Sequence, residues 1–261
     1  MLSLRPSRVL EKIRAGKPAF STKINTGDPR IVEIAAMSGF DCIWLDREHC
    51  PNDLRAIEEQ IRASLMHGAD AIVRVARGSY SEHVWPFELN ATAIMVPHVM
   101  SAADAKWVAR MTKFHPIGRR PMDGGNADGA FCAVPVADYI KHSNEQRFVV
   151  CQIEDPEPLA ELDEIAATPG VDMLYFGPAD FAHGLGVPGE MDDPRIHEAR
   201  LRVAQACKRH GKLAGTVCPG GPAHINELIE MGYLLLNLGA DVLGLWDYFR
   251  KINEGIKEHV K

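Results

Sequence analysis

Short apolar runs alternate with amphipathic stretches along the whole chain. Eight of these runs, rich in β-branched and aromatic residues, predict buried strands. The predicted strands cover 19–24, 42–45, 71–75, 93–96, 148–153, 173–176, 213–217 and 234–238. Between them, apolar residues recur at helical spacing and predict helices at 29–38, 54–67, 102–111, 158–168, 194–210 and 222–231.

This alternation predicts an α/β fold: one (β/α)8 TIM barrel over residues 1–261, with an extra C-terminal helical segment. No linker rich in Gly, Pro or Ser divides the sequence, and 261 residues is an ordinary length for such a barrel. A doubly wound open sheet is the alternative. It is disfavoured because no Gly-x-Gly-x-x-Gly motif follows the first strand.

Two stretches depart from the alternation. Residues 114–137 contain several Gly and Pro residues and are too long for a plain barrel connection, which predicts a functional loop that selects the substrate. Residues 242–260 predict one or two helices. Their apolar side chains, including Trp246, Tyr248 and Phe249, are a large apolar load for a chain end and indicate packing on another subunit.

Composition narrows the class of protein. The chain is 46% apolar and 25% charged, as in ordinary globular proteins. Its net charge is −6 without a Lys/Arg stripe, which argues against nucleic acid as the main partner. No apolar run approaches the roughly 18 residues of a membrane span. The six cysteines form no regular framework, so we expect a cytoplasmic protein without a membrane partner.

Two strands are followed by acids at their carboxyl ends, where TIM barrels carry their active sites. Glu154 follows the fifth strand and Asp180 comes shortly after the sixth. A continuous apolar strand does not need a terminal acid, so the pair predicts a divalent cation (Mg²⁺, Mn²⁺ or Co²⁺) held between them. Each acid could instead cap a following helix. Backbone N–H groups of Gly177, Ala179 and Asp180 could hold a substrate carboxylate.

Further polar residues arrive at the same end of the predicted barrel. The second strand leads into Asp46-Arg47-Glu48-His49, and His49 is the predicted acid/base residue. The fourth strand leads into Val96-Pro97-His98. Arg74, at the end of the third strand, needs an anionic partner such as Asp46 or Glu154 and could also stabilise an enolate oxygen.

Six segments carry a family resemblance. They are GFDCIWLDREHCPND at 39–53, VR ending at Arg74, MVP ending at Pro97, QIE at 152–154, GPAD at 177–180 and GKLAG at 211–215. In this order the chain resembles the HpcH/HpaI aldolase family. These are class II pyruvate aldolases such as 4-hydroxy-2-oxoheptanedioate aldolase and 2-keto-3-deoxy-sugar-acid aldolases.

The resemblance implies a role for each matching residue. Glu154 and Asp180 would bind the metal, Arg74 would steady the pyruvate enolate, and His49 would work with a water in proton transfer. The implied substrate contacts are Gln152 and the backbone of Gly177, Ala179 and Asp180. Family members assemble as hexamers with sites near subunit boundaries, so a homo-oligomer is expected.

The sequence also departs from the family at several positions. Arg47 replaces a small residue, Lys23 replaces a Trp of the first strand, and Glu88 replaces the Asp that orients the histidine from a neighbouring subunit. The loop carrying Arg119, Arg120, Asp123 and Asn126 is unlike the usual Arg-Gly-x-Gly pattern. These changes leave the enolate half of the site intact and concern the half that receives the aldehyde.

The leading hypothesis is a metal-dependent lyase with Asp46, His49 and Arg74 as catalytic residues. It would cleave a 4-hydroxy-2-oxo acid reversibly into pyruvate, or a close analogue, and an aldehyde through a metal-stabilised enolate. A citrate-lyase-like enzyme that cleaves an acyl-CoA is one alternative, and a Schiff-base aldolase using Lys23 is another. A catalytically silent barrel is the third.

Overall fold

Eight parallel strands close into a barrel in the computed structural model, which describes residues 3–260. Each strand pairs with the next in sequence, and the first pairs with the last. This confirms the predicted TIM-barrel fold. The strands are β1 (Ala19–Ile24), β2 (Cys42–Asp46), β3 (Asp70–Arg74), β4 (Ala93–Val96), β5 (Phe148–Ile153), β6 (Met173–Phe176), β7 (Leu213–Val217) and β8 (Leu235–Ala240).

Helices surround the barrel and connect its strands. They are α1 (Arg8–Arg14), α2 (Pro29–Met37), α3 (Leu54–Met66), α4 (Tyr80–Glu88), α5 (Ala102–Thr112), α6 (Val136–Gln146), α7 (Leu162–Ala167), α8 (Pro178–Gly184), α9 (Pro194–Arg209), α10 (Pro222–Met231) and α11 (Asp241–His259). The single helix predicted at 158–168 is a short 3₁₀ helix, Glu157–Glu161, followed by α7. The predicted C-terminal segment is one helix, α11.

Side chains of each strand alternate between the barrel interior and the helix layer. The interior is filled by apolar residues such as Trp44, Met95, Phe148, Val150 and Tyr175. A second, larger core lies between the strands and the helices. The interior below the rim is packed mainly with apolar groups, apart from Ser21 and Asn237, which form a hydrogen bond of 3.3 Å between β1 and β8. The charged residues Asp46 and Arg74 are the last residues of β2 and β3.

The amino-terminal end of the barrel is closed by α1. Val9, Leu10 and Ile13 are buried against the interior cluster. Ser7 caps this helix by accepting a hydrogen bond from the Leu10 N–H at 3.0 Å. Asp70, the first residue of β3, accepts hydrogen bonds from the Ser7 hydroxyl (2.7 Å) and the Val9 N–H (2.9 Å). The start of the chain therefore plugs this end.

The irregular stretch at 114–137 lies at this same amino-terminal end. It follows α5, so the chain has already returned from the carboxyl end of β4 before the stretch begins. Within it, Arg120 forms a buried ion pair with Asp128 at 2.7 Å and donates to the Ser143 hydroxyl in α6. The expectation that this loop selects the substrate is therefore wrong for the site of its own chain, because the barrel separates the two.

The helix α11 leaves the barrel with a large apolar surface. Leu243, Trp246, Tyr248 and Phe249 each have at least 59% of their surface exposed. Its start is tied to the barrel, where Asp241 accepts hydrogen bonds from the backbone of Asn25 and Thr26. No helix in residues 3–260 is long and apolar enough to cross a membrane.

Candidate active site

An ion-pair network lies at the carboxyl ends of β1, β2 and β3. Asp46 and Arg74 are register partners across β2 and β3. Arg74 donates from Nε to Asp46 Oδ1 at 3.0 Å and from Nη2 to Oδ2 at 2.7 Å. Lys23 Nζ lies 2.8 Å from the same Oδ2. Burial opposes ionisation of Asp46, but Arg74 and Lys23 outweigh it and hold the pKa of this carboxyl well below its usual range.

The Arg74 guanidinium is fixed in place by this network. It lies over the ring of Trp44, with 4.9 Å between Cζ and the ring centroid. Its Nη1 is 2.9 Å from Glu48 Oε2. Burial disfavours the cation, but Asp46 and the nearby Glu48 and Glu154 keep the pKa of Arg74 above its ordinary value. The arrangement presents a permanent positive charge to the mouth of the barrel.

The loop after β2 brings Glu48 and His49 to the mouth. Asp46 organises this loop, because its Oδ1 accepts the Glu48 N–H at 3.0 Å and its carbonyl accepts from the Asn52 side chain at 2.9 Å. His49 is 57% exposed, with Nε2 at 3.6 Å from Glu48 Oε2. His49 is therefore accessible to solvent and to a molecule entering the barrel.

Glu154 is almost fully buried, with 1% of its surface exposed. Its Oε1 accepts the His98 N–H at 2.9 Å, and its Oε2 accepts a hydrogen bond from the Gln152 amide. Burial raises the pKa of Glu154 to about 7, and the nearby acids Asp180 and Glu48 add to this effect. A cation at this position would offset both the burial of the carboxylate and its repulsion by the neighbouring acids.

Glu48, His98 and Glu154 together form a cluster that could hold a metal ion. One ligand atom from each lies within 4.8 Å of the others. Gly177 fits closely against this cluster, since a Cβ there would come within 2.8 Å of Glu154 Oε2. The buried Gln152 Oε1 has no hydrogen-bond partner among residues 3–260. The donor set, the close approach of the backbone and the unpaired oxygen all fit a divalent cation with a polar ligand.

Asp180 lies in the first turn of α8, near this cluster but outside the group of atoms within 4.8 Å. Its charge still reaches Glu154, whose pKa it raises. Gly177 donates its own N–H to the Ile153 carbonyl at 3.0 Å, so this N–H is engaged within the chain. At the start of α8, Ala179 is exposed and Asp180 is half-buried.

The residues predicted for the aldehyde half are engaged elsewhere in the structure. Arg47 forms an ion pair with Glu82 in the first turn of α4 and donates from Nε to the Asn52 carbonyl. Lys23 is occupied by Asp46. Glu88 ends α4, at the amino-terminal end of the barrel and away from His49 of the same chain. Burial raises the pKa of Glu88, while Arg120 opposes the shift.

Sequence reasoning assigned no role to Glu48, His98 or Asp155. His98 Nδ1 lies 2.8 Å from Asp155 Oδ2, and His98 Nε2 lies 3.7 Å from Glu48 Oε1. The signal for His98 was its place two residues after a strand, close to the signal that selected Glu154, which follows its strand directly. Glu48 and Asp155 follow strand ends by two residues each. Their proximity depends on the closed barrel.

The chain is similar to known proteins of one family. The profile of the family described as HpcH/HpaI aldolase/citrate lyase matches residues 24–246. A hydroxypyruvate/pyruvate aldolase of Pseudomonas aeruginosa is 30% identical over 251 residues, covering 96% of this chain and 93% of that protein. A 2-keto-3-deoxy-L-rhamnonate aldolase of Klebsiella pneumoniae is 28% identical and covers 82% of this chain and 79% of its own.

A solved structure shares the same architecture. The HpcH/HpaI aldolase from Desulfitobacterium hafniense superposes with a TM-score of 0.89 at 29% identity. The superposition covers 95% of this chain and 96% of that one. The similarity therefore extends over the barrel strands and the loops that carry the rim residues.

Proposed function

Because the chain belongs to the HpcH/HpaI aldolase/citrate lyase family, we propose that it reversibly cleaves a 4-hydroxy-2-oxo acid into a short 2-oxo acid and an aldehyde. Family membership makes it an aldolase, a carbon–carbon lyase. Its relatives are named for pyruvate, hydroxypyruvate and 2-keto-3-deoxy-L-rhamnonate, which supports pyruvate or hydroxypyruvate as the three-carbon product.

One observation carries this proposal. Three potential metal ligands, Glu48, His98 and Glu154, converge within 4.8 Å beside the fixed guanidinium of Arg74. Aldol cleavage leaves an electron pair on the carbon next to a ketone. The Arg74 guanidinium and a cation held by these three ligands would both stabilise the resulting negative charge. A purely structural rim would balance its acids with cations, as Asp46 is balanced by Arg74 and Lys23, whereas Glu154 accepts hydrogen bonds only from the His98 N–H and the Gln152 amide among residues 3–260.

Glu154 and Asp180 are the proposed metal ligands, with Glu48 and His98 close to the same space. A divalent cation, when bound, would supply positive charge that stabilises the enolate and orients the oxo acid. Gly177 gives the clearance that lets a ligand approach Glu154. The N–H groups of Ala179 and Asp180, at the start of α8, are the proposed donors to the substrate carboxylate.

The remaining residues account for proton and charge movements. His49 takes the proton of the C4 hydroxyl, directly or through a water. The C3–C4 bond then breaks, its electron pair passes to the enolate, and the aldehyde leaves. Arg74 donates a hydrogen bond to the developing enolate oxygen. The enolate finally takes a proton at C3 to give the 2-oxo acid. Asp46 positions Arg74 and the loop of His49, and Gln152 holds Glu154.

The Schiff-base alternative through Lys23 is less well supported. An amine must be free to attack a carbonyl, whereas Lys23 Nζ is held in an ion pair with Asp46 Oδ2 at 2.8 Å. Borohydride reduction in the presence of pyruvate separates the two mechanisms. We expect no stable adduct on Lys23, and a covalent adduct of pyruvate mass would contradict the metal-dependent mechanism.

Activity can be tested by measuring pyruvate and hydroxypyruvate release from a panel of 4-hydroxy-2-oxo acids that differ in tail length and charge. We expect release from at least one member, loss of turnover in excess EDTA, and recovery with Mg²⁺, Mn²⁺ or Co²⁺. Full turnover in excess EDTA would falsify the metal requirement. Oxalate, which resembles the enolate, should bind in calorimetry only when metal is present.

The exposed apolar surface of α11 supports a homo-oligomer, for which a hexamer is the family expectation. Trp246 and Phe249 are 70% and 61% exposed, an arrangement that favours burial against a second copy. Sedimentation velocity should show an assembly for the wild-type chain. The double variant Trp246→Glu/Phe249→Glu should shift it towards the monomer, and a monomeric wild-type chain would contradict the proposal.

A further inference from the structure

We propose that His98 is a nitrogen ligand of the cation at this site, which makes the site prefer a transition metal over Mg²⁺. The inference rests on the proposed metal-dependent function and adds a ligand of a different chemical type. The orientation of the His98 ring is set by its neighbours on both sides.

The backbone of His98 is held at two points. Its N–H donates to Glu154 Oε1 at 2.9 Å, and its carbonyl accepts a hydrogen bond from the Arg77 guanidinium. Its φ of +48° lies in the left-handed region, which histidine adopts more readily than most residues. The ring lies at the carboxyl end of the barrel, in contact with Glu48, Glu154 and Asp155.

Asp155 determines which ring nitrogen is available. His98 Nδ1 is 2.8 Å from Asp155 Oδ2, and an ionised carboxylate only accepts hydrogen bonds. Nδ1 therefore carries the hydrogen, and Nε2 of the neutral ring has a free lone pair. A carboxylate behind a histidine is the usual support of a metal-binding imidazole, because it fixes the ring and makes the other nitrogen a better ligand.

Nε2 points towards Glu48, whereas the ring nitrogen nearest to Glu154 is Nδ1, at 3.8 Å from Oε1. Nε2 lies 3.7 Å from Glu48 Oε1, too far for a hydrogen bond between them. Two ligands that each lie about 2.1 Å from one ion are separated by roughly 3 to 4 Å, depending on the angle between them. The separation of 3.7 Å falls in this range. The Glu48 oxygen that faces His98 is also the one that Arg74 leaves free, because Arg74 Nη1 contacts Oε2.

A nitrogen ligand changes the choice of metal. Sites built only from carboxylate, carbonyl and water oxygens suit Mg²⁺ and Mn²⁺. Imidazole adds affinity for Co²⁺, Ni²⁺ and Zn²⁺, following the general order of stability of divalent ions, and adds little for Mg²⁺. With His98 in the ligand set, the site should discriminate strongly in favour of Co²⁺ over Mg²⁺.

The test is calorimetric titration of Co²⁺ and of Mg²⁺ into full-length protein stripped of metal. We expect His98→Met to weaken Co²⁺ binding by about 30-fold or more and Mg²⁺ binding by less than about 3-fold. Asp155→Asn should weaken Co²⁺ binding by about 10-fold, since the ring loses its support. The matched control is His210→Met, because His210 also pairs with a carboxylate, Asp163, at 2.9 Å but lies outside the cluster.

Electron spin echo spectroscopy of the Mn²⁺-loaded wild-type protein gives a readout independent of any variant. Coupling of the ion to a ¹⁴N nucleus should be present and should disappear in His98→Met. Absence of nitrogen coupling in the wild type, or equal Co²⁺ affinity in wild type and His98→Met, overturns the role of His98 alone. A wild-type protein that binds neither ion overturns this role together with the metal requirement of the proposed function.

Discussion

Both ends of the barrel contain buried acids, but the acids have different surroundings. At the amino-terminal end, Asp70 accepts hydrogen bonds from the Arg5 guanidinium, the Ser7 hydroxyl and the N–H groups of Arg8 and Val9. At the carboxyl end, Glu154 has two donors and faces other acids, which raise its pKa to about 7 together with burial. Burial alone therefore does not identify a functional acid.

The difference follows from what each acid contributes to folding. Asp70 is paired with the Arg5 guanidinium and accepts hydrogen bonds from the start of α1, so it ties these parts of the chain to the barrel. Glu154 is held where its charge is unfavourable until a cation arrives. Residues that weaken the folded state yet stay in place are typical of sites kept for function. The amino-terminal network is accordingly expected to control stability, and the carboxyl-end cluster to control activity.

The largest expected effect is on activity at the carboxyl end. Glu154→Gln keeps the shape of the side chain but removes a charged metal ligand, so kcat/KM for the best substrate should fall by about 10³-fold or more. Steady-state assays with saturating Mn²⁺ measure this. Asp70→Asn is the matched control at the other end and should keep its activity per folded molecule. Equal losses in the two variants would remove the distinction.

The next effect concerns stability at the amino-terminal end. Asp70→Asn leaves Arg5 and the N–H groups of α1 without their charged acceptor, so the free energy of unfolding should fall by about 2–4 kcal/mol. Urea unfolding at fixed protein concentration measures the change. Asp28→Asn is the control, because Asp28 caps α2 at the surface and Asn is an equally good cap. A change below about 0.5 kcal/mol in Asp70→Asn would mean that this network does not hold the barrel together.

Glu154→Gln should also change stability, in the opposite direction. The folded-state pKa of Glu154, about 7, is above its ordinary value of 4.5, so the group reduces stability as pH rises from about 4.5 through 7. Without metal at pH 8, the variant should be more stable than wild type by about 1–3 kcal/mol. At pH 4 the gain should vanish. A variant that is less stable at pH 8 would show that Glu154 supports the fold as Asp70 does.

Much of this organisation could be predicted from sequence. Barrel strands that are buried on both faces appear as short apolar runs, so their positions were predicted to within one or two residues, and Glu154 stood out at a strand end. The expected role of the 114–137 loop in selecting the substrate does not hold for the site of its own chain, because the loop lies at the other end of the barrel. The helix α5 precedes the loop and returns the chain to the other end.

The ligand role proposed for His98 could not be reached in the same way. It depends on a left-handed turn after β4, on Asp155 after the neighbouring strand, and on Glu48 two strands away. None of these contacts has a periodic signal, because each joins residues that only the closed barrel brings together. The hydrogen bond from the Gly177 N–H to the Ile153 carbonyl, which occupies a predicted donor to the substrate, could not be predicted for the same reason.

The smallest expected effect is a loss of stability on acidification, caused by protonation of a histidine at the amino-terminal end. Burial lowers the pKa of His142 to about 4, and the charge of Arg147 adds to this shift. The unfolded chain therefore binds a proton more readily, so His142 contributes nothing adverse above pH 6.5 and reduces stability as pH falls from about 6.5 towards 4. After allowance for partial exposure, the loss at pH 5 should be about 1 kcal/mol.

Urea unfolding of wild type and His142→Gln at pH 7.5 and pH 5 measures this loss, and the variant should lose less stability over this interval. An identical loss in both proteins would show that the packing around His142 does not exclude its proton.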